Sequence, residues 1–253
     1  MPGAFDDVDL SAVALFPLPS VVLFPRAVLP LHIFEDRYRA MTADVLAGDR
    51  LVAMALLRPG WEKSYYGRPA IEPVVCVGQI LTHEKLPDGK YNFLLQGLLR
   101  ATVSRELPGA ATPYRRAELK PLEEAPALEI DLEAERRRLV ELFHAGPLGA
   151  SGTGRQFRQI VKSHLPTCDV ADLSAFTFLD DVGLKQSLLA DADVRARVAR
   201  TVDALAKLSR SMRPSAPPAS PADAAPHGGA KDAGAKQGPA DASSPPPFDP
   251  NLN

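Results

Sequence analysis

The stretch "LFPLPSVVLFPRAVLPLHIFEDRYRAM", residues 15–41, places four prolines in an otherwise apolar run and then turns abruptly charged. Proline has no N–H and its ring collides with the carbonyl four residues back, so the run cannot be a buried helix. It reads as short strands broken or edged by proline. Two strand candidates follow, "AVALFPL" over 12–18 and "AVLPLHIF" over 27–34. Next comes "EDRYRAMTADVLAGDR", where the spacing predicts a helix. Glu35 and Asp36 suit the positive end of its dipole, Tyr38, Met41 and Val45 share one face, and Gly48 suits its end.

Outward from this stretch the same alternation persists as far as Pro121. "LVAMALL" (51–57) is a nearly continuous apolar strand, followed by the polar, aromatic loop "RPGWEKSYYGRPAIEP". "VVCVGQILTHEKL" and "KYNFLLQG" flank Pro87-Asp88-Gly89, a turn in which proline presets one dihedral and glycine accepts a positive one. A long hairpin is expected there. "LRATVSREL" and "YRRAELKPL" read as further strands, with Ala117 and Leu119 on the face opposite Arg116, Glu118 and Lys120. About six strands with one helix suggest a closed or nearly closed small barrel, since closure removes sheet edges; an open sheet is the alternative.

Beyond Pro121 the apolar residues take helical spacing. Five helices are expected, within "ALEIDLEAERRRLVELFHAG", "GRQFRQIVKSHL", "DVADLSAFTFL", "DVGLKQSLLA" and "DADVRARVARTVDALAKLSRSM". The last carries Val194, Val198, Val202, Leu205 and Leu208 on one stripe, and such stripes require a bundle to bury them. From Ser211 onward the chain is rich in Pro, Ala, Gly and Ser and nearly free of large apolar groups, so disorder is expected. The α+β organisation expected is an extension over 1–10, a β-barrel unit over 11–121, a helical bundle over 122–210 and a disordered Pro/Ala-rich tail over 211–253.

The 253 residues carry 29 basic and 31 acidic side chains, a formal net charge of -2 that gives no electrostatic drive toward nucleic acid or anionic membrane. Cys76 and Cys168 form no metal or redox pair, and no signal-like or membrane-spanning apolar run is present, so a cytoplasmic protein is expected. "GASGTGRQ" (149–156) has the two glycines of a phosphate-binding loop. However, Arg155 and Gln156 stand where lysine and a hydroxyl are required, and an amphipathic helix, not a strand, precedes it. A flexible connection between helices with no ATP binding is expected instead.

Other chemistry is equally thin. Ser151 fails the nucleophile-elbow pattern because Thr153 replaces the second glycine, and a dyad with Lys162 or Lys185 has no support in spacing. His32, His83, His144, His164 and His227 show no ligand spacing, and Glu123-Glu124 and Asp180-Asp181 read as helix starts. No catalytic, cofactor or metal residue is assigned. The basic runs "ERRRL" and "YRRAE" lack the aromatic partners of a stacking surface. What remains is Trp61, Tyr65 and Tyr66, either partner-binding anchors or a cap on the end of the barrel.

Taken as a set, Phe16, Pro17, Leu18, Phe24, Pro25, Pro30, Leu31, Phe34, Glu35, Arg37 and Tyr38 resemble the start of the amino-terminal, substrate-recognition domain of Lon ATP-dependent proteases. Gly78, Gly97, Arg100, Lys185-Gln186 and Leu188-Leu189 continue the resemblance in order over about 12–208. It implies a PUA-like pseudobarrel followed by a helical bundle that binds proteins or unfolded segments. The ATPase and peptidase modules of those proteases are absent from this sequence, so it looks like the stand-alone Lon-domain proteins, related also to the Lon-like part of cereblon. A non-enzymatic adaptor in protein quality control, with no cofactor, is the expected function. An RNA-binding module using the PUA-like barrel is the alternative.

Overall fold

The computed structural model describes residues 8–108 and 112–212. The expected tail beyond residue 212 lies outside the described residues. Its expected first residue, Ser211, instead closes the last helix.

Six strands form one mixed sheet: β1 (Val13–Leu18), β2 (Val28–Ile33), β3 (Leu51–Leu56), β4 (Val74–Lys85), β5 (Tyr91–Glu106) and β6 (Arg115–Pro121), ordered β2-β5-β4-β3-β1-β6 with β5 also paired to β6. That extra pairing closes β1, β3, β4, β5 and β6 into a ring. The proline-broken strand β2 is left outside it as an edge, where Pro30 is tolerated. β1 runs parallel to β3, Ala14 opposite Val52, so the chain between them must cross over; β2 and helix α1 (Asp36–Leu46) form that crossover.

One expectation is corrected. "LRATVSREL" is not a separate strand but the second half of β5, which is 16 residues long. Its first half pairs with β2, ending at Val28 opposite Gln96, and its second with β6, from Ala101 opposite Pro121. The change of partner falls at Gly97, whose N–H donates to the Ala27 carbonyl at 2.9 Å while its carbonyl accepts from Arg26 at 2.8 Å. A Cβ there would drive into the Phe24 carbonyl and approach the Cys76 sulfur at 3.1 Å, so only glycine admits the approach.

Strand alternation divides the apolar residues into two cores. Leu15, Ala53, Val75, Val77, Ala101 and Ala117 are fully buried in a cluster that contains no helical residue, which places them inside the ring, where alanines suit the narrow space. The other face, with Phe16, Val52, Met54 and Cys76, shares a larger core with α1 and the carboxy-terminal helices. Tyr38, Met41 and Val45 are buried as their spacing implied.

The helices are α2 (Glu133–His144), α3 (Gly152–Lys162), α4 (Thr167–Phe178), α5 (Val182–Leu189) and α6 (Val194–Ser211). Asp181 and Asp193 cap α5 and α6 by accepting from Leu184 and Ala196 N–H groups. Phe143, Phe157 and Phe178 meet with ring centroids 5.0–5.1 Å apart, joining α2, α3 and α4.

"GASGTGRQ" is a packed joint rather than the flexible connection expected of it. Pro147–Ala150 form a 3-10 turn, and the Ser151 hydroxyl caps α3 by accepting from Gly154 N–H at 2.9 Å. Gly149 presses on the Phe143 carbonyl and Gly154 on the Leu148 carbonyl. Both glycines sit where neighbouring backbone approaches too closely for a Cβ.

Candidate functional site

The aromatic loop leaves β3 and returns to β4 through a hydrogen-bonded neck. Leu57 bridges Ile71, Arg58 N–H donates to the Ala70 carbonyl at 2.9 Å, and Glu72 N–H to the Leu56 carbonyl at 2.8 Å. Gly60, at φ 89°, reverses the chain into a 3-10 turn over Trp61–Ser64. A loop so closed presents its side chains from a fixed base.

Its aromatic residues are organised around one arginine. The Arg37 guanidinium lies 4.6 Å from the Tyr38 and Tyr65 ring centroids and 5.8 Å from that of Tyr66. Arg37 Nε donates to Glu35 at 3.1 Å and its terminal nitrogen to the Tyr65 carbonyl at 3.2 Å, while the Tyr65 hydroxyl donates to Glu35 at 2.6 Å. Burial, then that bond to Glu35, pushes the Tyr65 phenol up to about 12. Glu35 and Arg37 thus fasten the loop to the start of α1.

The three expected site residues are brought together but given unlike roles. Trp61 meets Tyr65 edge-on at 5.5 Å and Tyr65 meets Tyr66 at 5.2 Å. Tyr65 is the internal member, held by its hydroxyl. Tyr66 is 89% exposed. Half-buried Trp61 lines a groove of about 550 Å³ between the loop and α5, with Leu56, Leu57, Pro59 and Val182 among its walls. Gln186 on α5 donates to the Val74 carbonyl at 2.8 Å and fixes the groove's far side to β4.

The other candidate groups are engaged structurally. Ser151 serves as a cap, and Lys185 donates to the Phe176 carbonyl at 2.9 Å. The basic runs divide: Arg136 donates to the Ser163 and Leu165 carbonyls and Arg115 to Glu106 and the Pro69 carbonyl, while Arg137 and Arg138 stay exposed, Arg138 pairing with Asp203 at the surface. Among the described residues, no group of three or more His, Cys, Asp or Glu is placed to hold a metal ion. No described helix is long and apolar enough to cross a membrane.

One constellation escaped the sequence reading. Arg100, Asp172 and Arg197 are buried together at the seam of β5, α4 and α6, with Glu124 reaching in. Arg100 donates to Asp172 at 2.8 Å and to the Leu189 carbonyl at 3.0 Å, and Arg197 pairs with Glu124 at 2.6 Å. Glu124 is therefore no helix start, contrary to expectation, whereas Asp181 is one. Of the four, only Arg100, through the family resemblance, and Glu124, as a helix start, are marked in the sequence. Charged residues on a helix pattern read as solvent-facing, which concealed Arg197 and Asp172.

A five-strand ring with an outlying edge strand and a helical cap defines a substrate-binding domain of the Lon type. The family model described as the ATP-dependent protease La (LON) substrate-binding domain matches residues 12–207, and the chain belongs to that family. It is similar to the Lon protease of Desulfosudis oleivorans, 24% identical over 74% of this chain and 22% of that protein, and to Lon protease 2 of Myxococcus xanthus, 26% identical over 81% and 24%. The chain thus spans about a quarter of the length of these relatives. In structure it resembles the N-terminal domain of the Mycobacterium avium complex Lon protease, with a TM-score of 0.61, 16% identity and coverage of 78% of this chain and 98% of that one. A Lon N-terminal domain protein from Xanthomonas campestris also matches, with a TM-score of 0.53, 20% identity and coverage of 76% and 98%. These likenesses support the PUA-like ring and helical portion expected from the sequence.

Proposed function

We propose that this chain is a non-catalytic module that binds exposed apolar or unfolded polypeptide segments, acting in the cytoplasm as an adaptor in protein quality control without ATP or another cofactor. The observation that carries the reading is the anchored aromatic loop. Trp61 lines an apolar groove while Tyr66, linked to it through the Tyr65 ring, projects into solvent, and a rigid base reduces the entropy lost when a partner is seated. Family membership agrees with it. RNA binding gains no comparable support, because Arg136 and Arg115 are engaged within the fold and the exposed Arg138 is paired with Asp203.

Trp61 is the sole tryptophan, so its fluorescence reports on the groove directly. Titration with a reduced, carboxymethylated protein that cannot fold should change that emission, and its folded parent should not. Tyr66→Ala should weaken binding by about tenfold, the cost of losing one aromatic anchor. Trp61→Phe, followed by calorimetry, tests the groove. Absence of binding by the unfolded client overturns the function; binding untouched by either substitution overturns the site.

A further inference from the structure

A cleft of about 500 Å³ opens over the buried charge cluster, between β5, the segment after β6 and α4. Its floor holds Arg100 and Arg197, side chains only 4% and 2% exposed, and Arg26 stands at its mouth, paired with Asp169. Leu98, Leu99, Pro121 and Leu122 supply apolar wall.

Two deep guanidinium groups face one equally deep carboxylate, Asp172, 3% exposed. Asp172 accepts from Arg100, but Arg197 Nε lies 3.4 Å away and, though buried, has no hydrogen-bond partner. The second negative charge comes from Glu124, 37% exposed, whose carboxylate forms an ion pair with Arg197 at 2.6 Å and sits 3.5 Å from Arg100. Buried cations thus depend on an anion reaching in from the surface, with a donor left over. An unpaired buried donor costs stability unless something accepts from it.

We propose that this cleft is a carboxylate-binding site, in which an incoming carboxylate next to an apolar side chain bonds Arg197 Nε and displaces Glu124 from the two arginines, its neighbour resting on the Leu98–Leu122 wall. Glu124 is the built-in stand-in for that ligand. The carboxylate can come from a chain terminus or from an acidic side chain; both present the same fork to a guanidinium. The site is separate from the aromatic loop and does not depend on the function proposed above.

The test uses the full chain and three probes: acetyl-Leu-Leu with a free carboxylate, its carboxamide, and acetyl-Leu-Asp-amide. Arginine Nε–H resonances in a nitrogen-15 spectrum report contact. The expected result is a saturable shift of the Arg197 signal with the first or third probe, which identifies the source, and none with the carboxamide. Glu124→Gln, which removes the competing charge at a partly exposed position, should tighten the carboxylate about tenfold, the worth of one charge-assisted bond. Tyr66→Ala should change nothing. Equal shifts from acid and amide, no shift from any probe, or unchanged affinity in Glu124→Gln overturns the proposal. Should Glu124→Gln not fold, the acid-against-amide comparison on the unmodified chain still decides.

Discussion

Replacing Gly154 by alanine should reverse the usual sign of a helix substitution. In an exposed helix interior, glycine to alanine gains roughly 1 kcal/mol through backbone entropy. At Gly154 the new methyl would penetrate the Leu148 carbonyl, 2.7 Å from its carbon, and stand 2.9 Å from the Ser151 hydroxyl, well inside the 3.4 Å of ordinary contact. Neither neighbour yields easily, because the Leu148 carbonyl accepts from the Ser151 hydroxyl at 3.0 Å and that hydroxyl caps α3. Overpacking costs about 1–3 kcal/mol and loss of the cap about 1 kcal/mol, so against the entropic gain a net loss of about 2 kcal/mol is expected. Gly152→Ala is the control, since its Cβ meets nothing closer than an Arg155 nitrogen at 3.9 Å in the same first turn. Urea unfolding followed by circular dichroism compares the two. With a slope of about 3 kcal/mol/M for a domain of this size, the Gly154→Ala midpoint should fall by roughly 0.7 M while Gly152→Ala stays at or above the parent. Equal midpoints would refute the packed joint and return the segment to a loose connection.

Two further outcomes follow from buried polar groups. Asp172→Asn removes the deepest negative charge and leaves two guanidinium groups under-compensated, so a loss of about 3–5 kcal/mol is expected in the same urea assay; a loss under about 1 kcal/mol would show that water already reaches the cluster. Tyr65 and Tyr114 are both pushed up to about 12, by burial first and then by donating to Glu35 and Asp44. A phenol whose folded pKa exceeds its unfolded value near 10 stabilises the fold below that value, and the contribution is lost as pH rises toward 12. Ultraviolet titration should therefore show phenols ionising late, with one fewer in Tyr65→Phe, and chemical stability should decline between pH 10 and 12 less steeply in that variant. A titration curve unchanged by Tyr65→Phe would contradict the bond to Glu35.

The strands and helices were legible because each carries a local signature. Pro30 on β2 marked an edge, the Pro87-Asp88-Gly89 turn marked the β4–β5 hairpin, and the valine and leucine stripe of α6 marked a buried face. Strand closure was legible only as a tendency. The pairing of β5 with both β2 and β6 depends on a carbonyl from Phe24 meeting Gly97, a contact some seventy residues apart that no periodicity encodes. Such a strand looks like two, because a glycine inside a strand pattern reads as a break until the backbone pressed against it is seen.

The site was legible in residue type but not in division of labour. Trp61, Tyr65 and Tyr66 are alike in sequence, yet Tyr65 is fixed by the Glu35 carboxylate, which belongs to the charged run that starts α1. Glu35 reads as an ordinary helix-start charge, and its second role, shared with Arg37, arises only because the β3–β4 loop folds back onto them. The buried cluster fails in the opposite sense. Arg197 lies one position from Val198 on α6, and a helix rotates each successive residue by about 100°, so the buried stripe and its border are neighbours in sequence. Whether a border arginine snorkels outward or turns in is decided by Asp172 and Glu124, which arrive from other elements. Local pattern therefore reveals where apolar groups must go, while the fate of charge depends on partners brought by tertiary structure. Function in this chain is accordingly to be sought at Arg37 and Arg197, where arginine guanidinium groups hold together segments that the sequence keeps far apart.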